Sequence, residues 1–213
     1  MLVAATVFDF GEARGEFPGA IELAARIMKV AEEFGAPNLC AMARGGLARA
    51  HVIRGESREA ARLFEETIAL ANEHRAYLED EGHNLASLAN TYVEIGEPER
   101  AKETAEHAIA LVKERGSKIQ ELENVVALAR AEVALGHDDA VDPLLERVEV
   151  LITAMGALAF RPHLAEIRAE RARRRGDQAG WRAELAEAQR LFTETGATGH
   201  AARVARALQE HGT

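Results

Sequence analysis

The chain has 213 residues, a formal net charge of -9 and an aromatic content of 5%. The acidic balance disfavours a general nucleic-acid binder, because phosphate groups repel a negatively charged protein. The single cysteine, Cys40, excludes an internal disulfide framework and a cysteine zinc cluster, which fits a reducing compartment. Few aromatic and many small residues favour close helix packing over a β-sandwich.

Targeting segments are not recognisable in the sequence. The first residues lack the basic stretch of a signal peptide, and Asp9 and Glu12 interrupt them early. The longest nearly apolar run, residues 150–160, is about half as long as a membrane-spanning helix needs to be. We therefore expect a soluble, cytoplasmic protein.

Glycine-containing turns recur along the chain at steps of 40, 41, 40 and 40 residues. They are Gly15-Glu16, Gly55-Glu56, Gly96-Glu97, Gly136-His137 and Gly176-Asp177. A second glycine follows about twenty residues after most of them, at Gly35, Gly116, Gly156 and Gly196, with Arg75 as the exception. Glycine is favoured just past a helix end, because it enters the left-handed region without strain. Two such positions in each period predict two helices per period.

Helix starts are marked as well. Ser57, Asp138 and Asp177 are candidate N-cap residues, and Pro98 fits the first turn of a helix. Between these marks, small or apolar residues recur at fixed distances from the turn glycines. Seven residues before the glycine stand Ala48, Ala89, Ala129 and Ala169; five residues after it stand Ala20, Ala60, Ala101, Val141 and Trp181. These rows predict helical hairpins that bury their apolar faces against neighbouring hairpins.

This alternation resembles tetratricopeptide repeats (TPRs), a family of helix-turn-helix repeats with a small residue in the first helix and alanine early in the second. The resemblance implies an all-α fold: a right-handed α-solenoid of about five TPR-like hairpins and a C-terminal capping helix. The repeats would span residues 1–37, 38–77, 78–118, 119–158 and 159–197 of a single domain 1–213, with the cap at 198–211.

The period is longer than the usual 34 residues of the family. In this respect the chain resembles the C-terminal repeat regions of bacterial maltose-regulator-like and antibiotic-pathway transcription activators, and of adenylate and guanylate cyclases linked to an ATPase-like module. That resemblance implies a regulatory module, and we expect the chain to be a fragment of a larger signalling protein.

Residue patterns for catalysis, cofactors or metals are not found in the sequence. The only glycine pair, Gly45-Gly46, falls inside a predicted helix without the lysine of a phosphate-binding loop. His163 and Glu166 are the sharpest metal-ligand candidates, but a solvated pair near a helix start explains their spacing more simply. We therefore expect a protein that is not an enzyme and that binds no cofactor or metal.

Arginines cluster at Arg171, Arg173, Arg174 and Arg175, in an otherwise acidic protein. They are either a docking patch for an acidic partner or a solvated helix end, where positive charge suits the helix dipole.

Polar residues occupy the position six residues before each turn glycine, although core residues flank it. This row is Asp9, Arg49, Asn90, Arg130 and Glu170. In the TPR family the first helix of each hairpin lines a concave groove, and the resemblance places this row in it. It also places there Met42, His83, Ser87, Val93, Glu123 and Val133. The alternative is that these residues are simply solvent-exposed surface positions on amphipathic helices.

The resemblance suggests a non-catalytic interaction or regulatory scaffold that binds a peptide, a protein domain or another domain of the parent chain in its groove. Binders of acidic chaperone tails carry lysines in the groove, and here Ala86 and Glu94 occupy those positions. A domain that senses a small-molecule effector is the alternative. Neither membrane binding nor direct nucleic-acid binding is expected.

Overall fold

Ten α-helices follow one another along residues 20–210, the part of the chain that this computed structural model describes. They are α1 (Ala20–Glu33), α2 (Pro37–Ile53), α3 (Ser57–His74), α4 (Glu81–Glu94), α5 (Pro98–Arg115), α6 (Lys118–Leu135), α7 (Asp138–Met155), α8 (Arg161–Arg174), α9 (Gln178–Glu194) and α10 (Thr198–Glu210). Two short 3-10 helices, Leu78–Asp80 and Leu158–Phe160, precede α4 and α8. Within this range there is no β-strand.

Successive helices pack as hairpins, in the pairs α2 with α3, α4 with α5, α6 with α7 and α8 with α9. Each pair is joined by one of the turns predicted at Gly55, Gly96, Gly136 and Gly176. Helix α10 packs on α9 at the C-terminal end of the stack. The prediction of an all-α stack of TPR-like hairpins is confirmed. The first helix of the first predicted repeat lies outside the described residues.

The turn at Gly96 shows how these hairpins close. Gly96 has φ 81°, and the Glu97 amide donates to the Tyr92 carbonyl at 2.8 Å. This bond satisfies a carbonyl that the end of α4 would otherwise leave without a partner. Pro98 then occupies the first turn of α5, as predicted.

Of the three predicted N-caps, the structure confirms one. The Asp177 side chain accepts a hydrogen bond from the Gly180 amide at 2.9 Å. Ser57 and Asp138 are instead the first residues of α3 and α7, and the caps are Glu56 and His137, whose side chains make no capping bond. The prediction was wrong by one residue at these two sites.

Three clusters of buried side chains form the core of the described residues. The first cluster includes Ala24 and Phe64 and runs from α1 to α6. The second joins α6, α7 and α8, and the third joins α8, α9 and α10 around Trp181 and Phe192. Helices α6 and α8 each contribute to two clusters, so burial continues from one hairpin to the next. None of the helices in residues 20–210 is both long and apolar enough to cross a bilayer.

Arg75 stands where the other hairpins carry the second glycine, and it has φ 49°. A side chain in this left-handed region is strained, whereas glycine is not. We expect Arg75→Gly to raise the free energy of unfolding by about 0.5–1 kcal/mol. Gly116→Ala, at the equivalent position with φ 74°, should lower it by about 1 kcal/mol. Urea unfolding followed by circular dichroism measures both, and a destabilised Arg75→Gly variant would contradict the argument.

Candidate functional site

The first helices of the hairpins form the inner layer of the stack. Helix α4 packs against α6, and α6 packs against α8, in addition to their contacts within the hairpins. The second helices, α3, α5 and α7, make no comparable contact with one another. In a curved stack, the layer whose helices lie closer together is on the inside of the curve. The exposed face of α2, α4, α6 and α8 is therefore the inner surface.

Helix α4 offers one open stripe to this surface. His83, Ser87, Asn90 and Val93 are half-buried, whereas every other residue from position 82 to 92 is buried. Their spacing of four, three and three residues places them on one face of the helix. A partner that approaches α4 from the inner side would therefore meet these four side chains.

Helix α6 is even more enclosed. Between positions 121 and 133 only Glu123 and Arg130 are half-buried, and the rest are buried. Both reach across to α4: His83 Nδ1 lies 3.2 Å from Glu123 Oε2, and Arg130 Nη1 donates to Asn90 Oδ1 at 3.4 Å. Together with Ser87, these four residues form the inner polar row, named here as His83, Ser87, Asn90, Glu123 and Arg130.

The other sequence-predicted site residues are more scattered. Met42 on α2 and Glu170 on α8 are half-buried, and Glu170 pairs with Arg173 and Arg174 on its own helix. Asp9 lies outside the described residues.

Arg49 and Val133 were predicted to point into the groove, but they are buried, with relative exposures of 5% and 2%. Arg49 Nη1 donates to Asn84 Oδ1 at 3.2 Å. Gly45 on α2 leaves room for this contact. A Cβ added at Gly45 would lie 3.1 Å from Asn84 Oδ1, which is tighter than an ordinary van der Waals contact between the two helices. Neither Arg49 nor Val133 offers its side chain to a partner in this conformation.

A cluster around Glu166 extends the inner polar row towards the C-terminus, and sequence reasoning did not find it as such. The carboxylate of Glu166 on α8 accepts hydrogen bonds from Arg130 Nη2 at 3.2 Å and from Arg203 of α10. It also lies 3.1 Å from His163 Nδ1. Burial alone would raise the pKa of Glu166. The hydrogen bond with His163 and the charges of Arg130 and Arg203 outweigh burial and hold this pKa well below its usual range.

The i, i+3 spacing of His163 and Glu166 was the only sequence signal for this cluster. Arg203 lies 37 residues beyond Glu166, and no spacing rule joins them. In the described range 20–210, no group of three or more histidine, cysteine or acidic side chains is arranged to hold a metal ion.

The arginine cluster at the end of α8 is paired within the chain. Arg171 donates to Asp138 and Asp142 on α7, and Arg175 donates to Asp138 at 2.8 Å. Arg173 and Arg174 contact Glu170 on their own helix. Each of the four guanidinium groups is therefore already paired with a carboxylate, and an acidic docking partner would have to replace it.

Comparison with known proteins places the fold in a class. Two crystal structures of a putative kinesin light chain from Podosopora anserina, with nearly identical TPR-like repeats, match with TM-scores of 0.59 and 0.58 at 20% identity. Each match covers 91% of this chain and 93% of that chain. A Rap protein complexed with Competence and Sporulation Factor matches with a TM-score of 0.65 at 13% identity, over 96% of this chain and 61% of that chain.

The protein therefore has a TPR-like helical repeat fold. At these identities the likeness shows the fold alone. No protein-family model matches the chain, and no curated protein matches it.

Proposed function

We propose that this protein is a non-catalytic interaction scaffold that binds a peptide or a protein domain on its inner surface. The observation that carries the proposal is the inner polar row, a set of half-buried polar side chains on stretches of α4 and α6 that are otherwise buried. These side chains keep part of their surface open, so a partner can contact them without unpacking the core. The similar fold of a Rap protein complexed with Competence and Sporulation Factor supports the same use of the fold.

The resemblance of the long repeats to bacterial transcription activators and ATPase-linked cyclases favours a regulatory module within a larger cytoplasmic signalling protein. Its partner would then be another protein or another domain of the parent chain.

The inner polar row is held by hydrogen bonds within the chain. Asn90 Nδ2 donates to the Ala86 carbonyl of its own helix, and its Oδ1 accepts from Arg130. Arg130 in turn bridges to Glu166, so the row is held in place before any partner arrives. Pre-ordered side chains reduce the entropy that is lost on binding.

Ser87→Arg tests the proposal without removing any side-chain hydrogen bond described above. It adds bulk and charge in the middle of the stripe on α4, and we expect binding at least ~10-fold weaker, equivalent to ~1.4 kcal/mol. Ala110→Arg is the matched control, because Ala110 is exposed on α5 in the outer layer. Arg49→Glu is unsuitable, since it would bury an unpaired carboxylate.

Proximity labelling in cells, followed by affinity measurements on the partners recovered, compares the three proteins. Partners shared by wild type and Ala110→Arg but lost by Ser87→Arg support the inner surface. Identical partner lists for all three would rule it out.

A small-molecule effector site is the alternative, and one cavity favours it. A space of about 420 Å³ lies between α7 and α8, within the usual size range of ligand pockets. Charged groups of both signs line it, among them Asp142, Glu146, Glu149, Arg168, Arg171 and Arg175. A zwitterionic metabolite that raises the melting temperature of wild type, but not of Arg168→Ala, would favour this alternative. No shift across a metabolite panel would argue against it.

A further inference from the structure

Helix α10 is the last helix of the described residues. It packs against α9, where Val204 is fully buried beside Trp181 and Phe192. Towards α8 it makes the hydrogen bond between Arg203 and Glu166 and a ring contact between His200 and His163. With 13 residues it is too short to be a stable helix in isolation. The order of α10 therefore depends on docking, and local opening should start there.

His200 lies in the first turn of α10, at the centre of a group of rings. Its ring stacks on Phe192 of α9 with the centroids 4.9 Å apart, and it meets His163 of α8 edge-on at 5.9 Å. His163 also contacts Phe192 at 5.3 Å and Phe160 at 6.1 Å. The neutral imidazole of His200 thus packs against the rings of Phe192 and His163, and this packing holds α10 against α9 and α8.

The charged groups that act on His200 come from three helices. Helix α8 contributes His163 and Glu166, α6 contributes Arg130, and α10 contributes Arg203. From α9 the contact is the apolar ring of Phe192. Arg130 and Arg203 already share the single carboxylate of Glu166. A proton on His200 would add another cation here, at a helix N-terminus that also disfavours positive charge.

We propose that α10 is an acid-releasable latch, in which a proton on His200 loosens the helix and uncovers the apolar face of α9. Such a device goes beyond the proposed scaffold function, because it controls the end of the stack whatever partner is bound. Release also withdraws Arg203 from Glu166, and so it changes the charge at that end of the inner polar row.

The direction of the pH effect follows from proton binding. Burial, together with the charges of His163 and Arg203, lowers the pKa of His200 from 6.5 to about 4 while α10 is docked. A released α10 regains the ordinary value and takes up the proton first. Docking therefore keeps its full strength above pH 6.5 and weakens as the pH falls towards 4. At pH 5 we expect docking to be about 30-fold weaker than at pH 7.5.

Glu166 does not reverse this trend. Its pKa is lowered in the docked state, so its contribution is present above the ordinary value of 4.5 and is lost only below it. Between pH 7.5 and 5 the contribution of Glu166 therefore stays in place.

Hydrogen exchange of the full chain at pH 7.5 and pH 5.0, corrected for the intrinsic exchange rate, tests the latch. Protection of the α10 amides should fall about 30-fold, while the α6 amides of the same molecule keep theirs. His200→Phe retains the stacking but cannot titrate, and it should remove the fall. His107→Phe, at an exposed position on α5, is the matched control and should keep the fall.

Two outcomes would overturn the proposal: no fall in wild type beyond that of α6, or an equal fall in His200→Phe. If His200→Phe does not fold, the ring proton of His200 in wild type is followed by NMR. A titration near pH 4 supports the latch, and one near pH 6.5 refutes it. Because no partner enters this experiment, its failure is distinguishable from a failure of the proposed scaffold function.

Discussion

Replacing Phe64 with alanine should lower the free energy of unfolding by about 3–5 kcal/mol. Phe64 lies on α3 with no exposed surface, and it belongs to the cluster that runs from α1 to α6. Its removal costs the transfer free energy of the ring. It also leaves a cavity, because the surrounding helices can close the space only partially. Urea unfolding followed by circular dichroism gives the value.

Phe34→Ala is the matched control for this measurement. Phe34 follows the end of α1 and is 77% exposed, so its loss should change the free energy of unfolding by less than about 0.5 kcal/mol. If both phenylalanine variants unfold at similar urea concentrations, the first cluster does not carry the stability of the stack.

Enlarging a small residue at a helix crossing should also be costly. Ala89 of α4 and Ala101 of α5 have no exposed surface and belong to the same cluster. Ala89→Leu or Ala101→Leu should each lower the free energy of unfolding by about 1–3 kcal/mol, since three added carbons force the helices apart or into strained rotamers. Calorimetric melting of each variant tests this.

The control for overpacking is Ala110→Leu on α5, where the side chain is exposed. It adds the same volume to the same helix as Ala101→Leu does, but without a neighbour to displace, and its melting temperature should stay close to that of wild type. Melting of Ala101→Leu at the wild-type temperature would mean that the packing around Ala101 is looser than its burial indicates.

The repeat pattern was sufficient to predict the hairpins, because each turn and each helix stripe is a local feature. A glycine such as Gly96 marks a helix end through its own backbone, and its spacing reports the length of the unit. The 3-10 helices Leu78–Asp80 and Leu158–Phe160 were not predicted, because residues that take this tighter turn carry no distinct sequence signal. Helix ends assigned from the sequence can also be wrong by one residue, as Ser57 and Asp138 show.

The candidate site was harder to predict, because its contacts depend on how neighbouring hairpins meet. Equivalent positions do come together at Asn90 and Arg130, which occupy the same place in adjacent repeats. Arg49 holds that place on α2, yet it turns to Asn84 through the gap that Gly45 leaves. The period of the sequence does not record such an irregular approach of two helices.

Helix α6 has a wider consequence for how the molecule melts. It shares Leu128 with the first core cluster and Leu122 with the second, whereas α1 and α10 each belong to a single cluster. On heating, α10 should therefore lose its structure before α6 does.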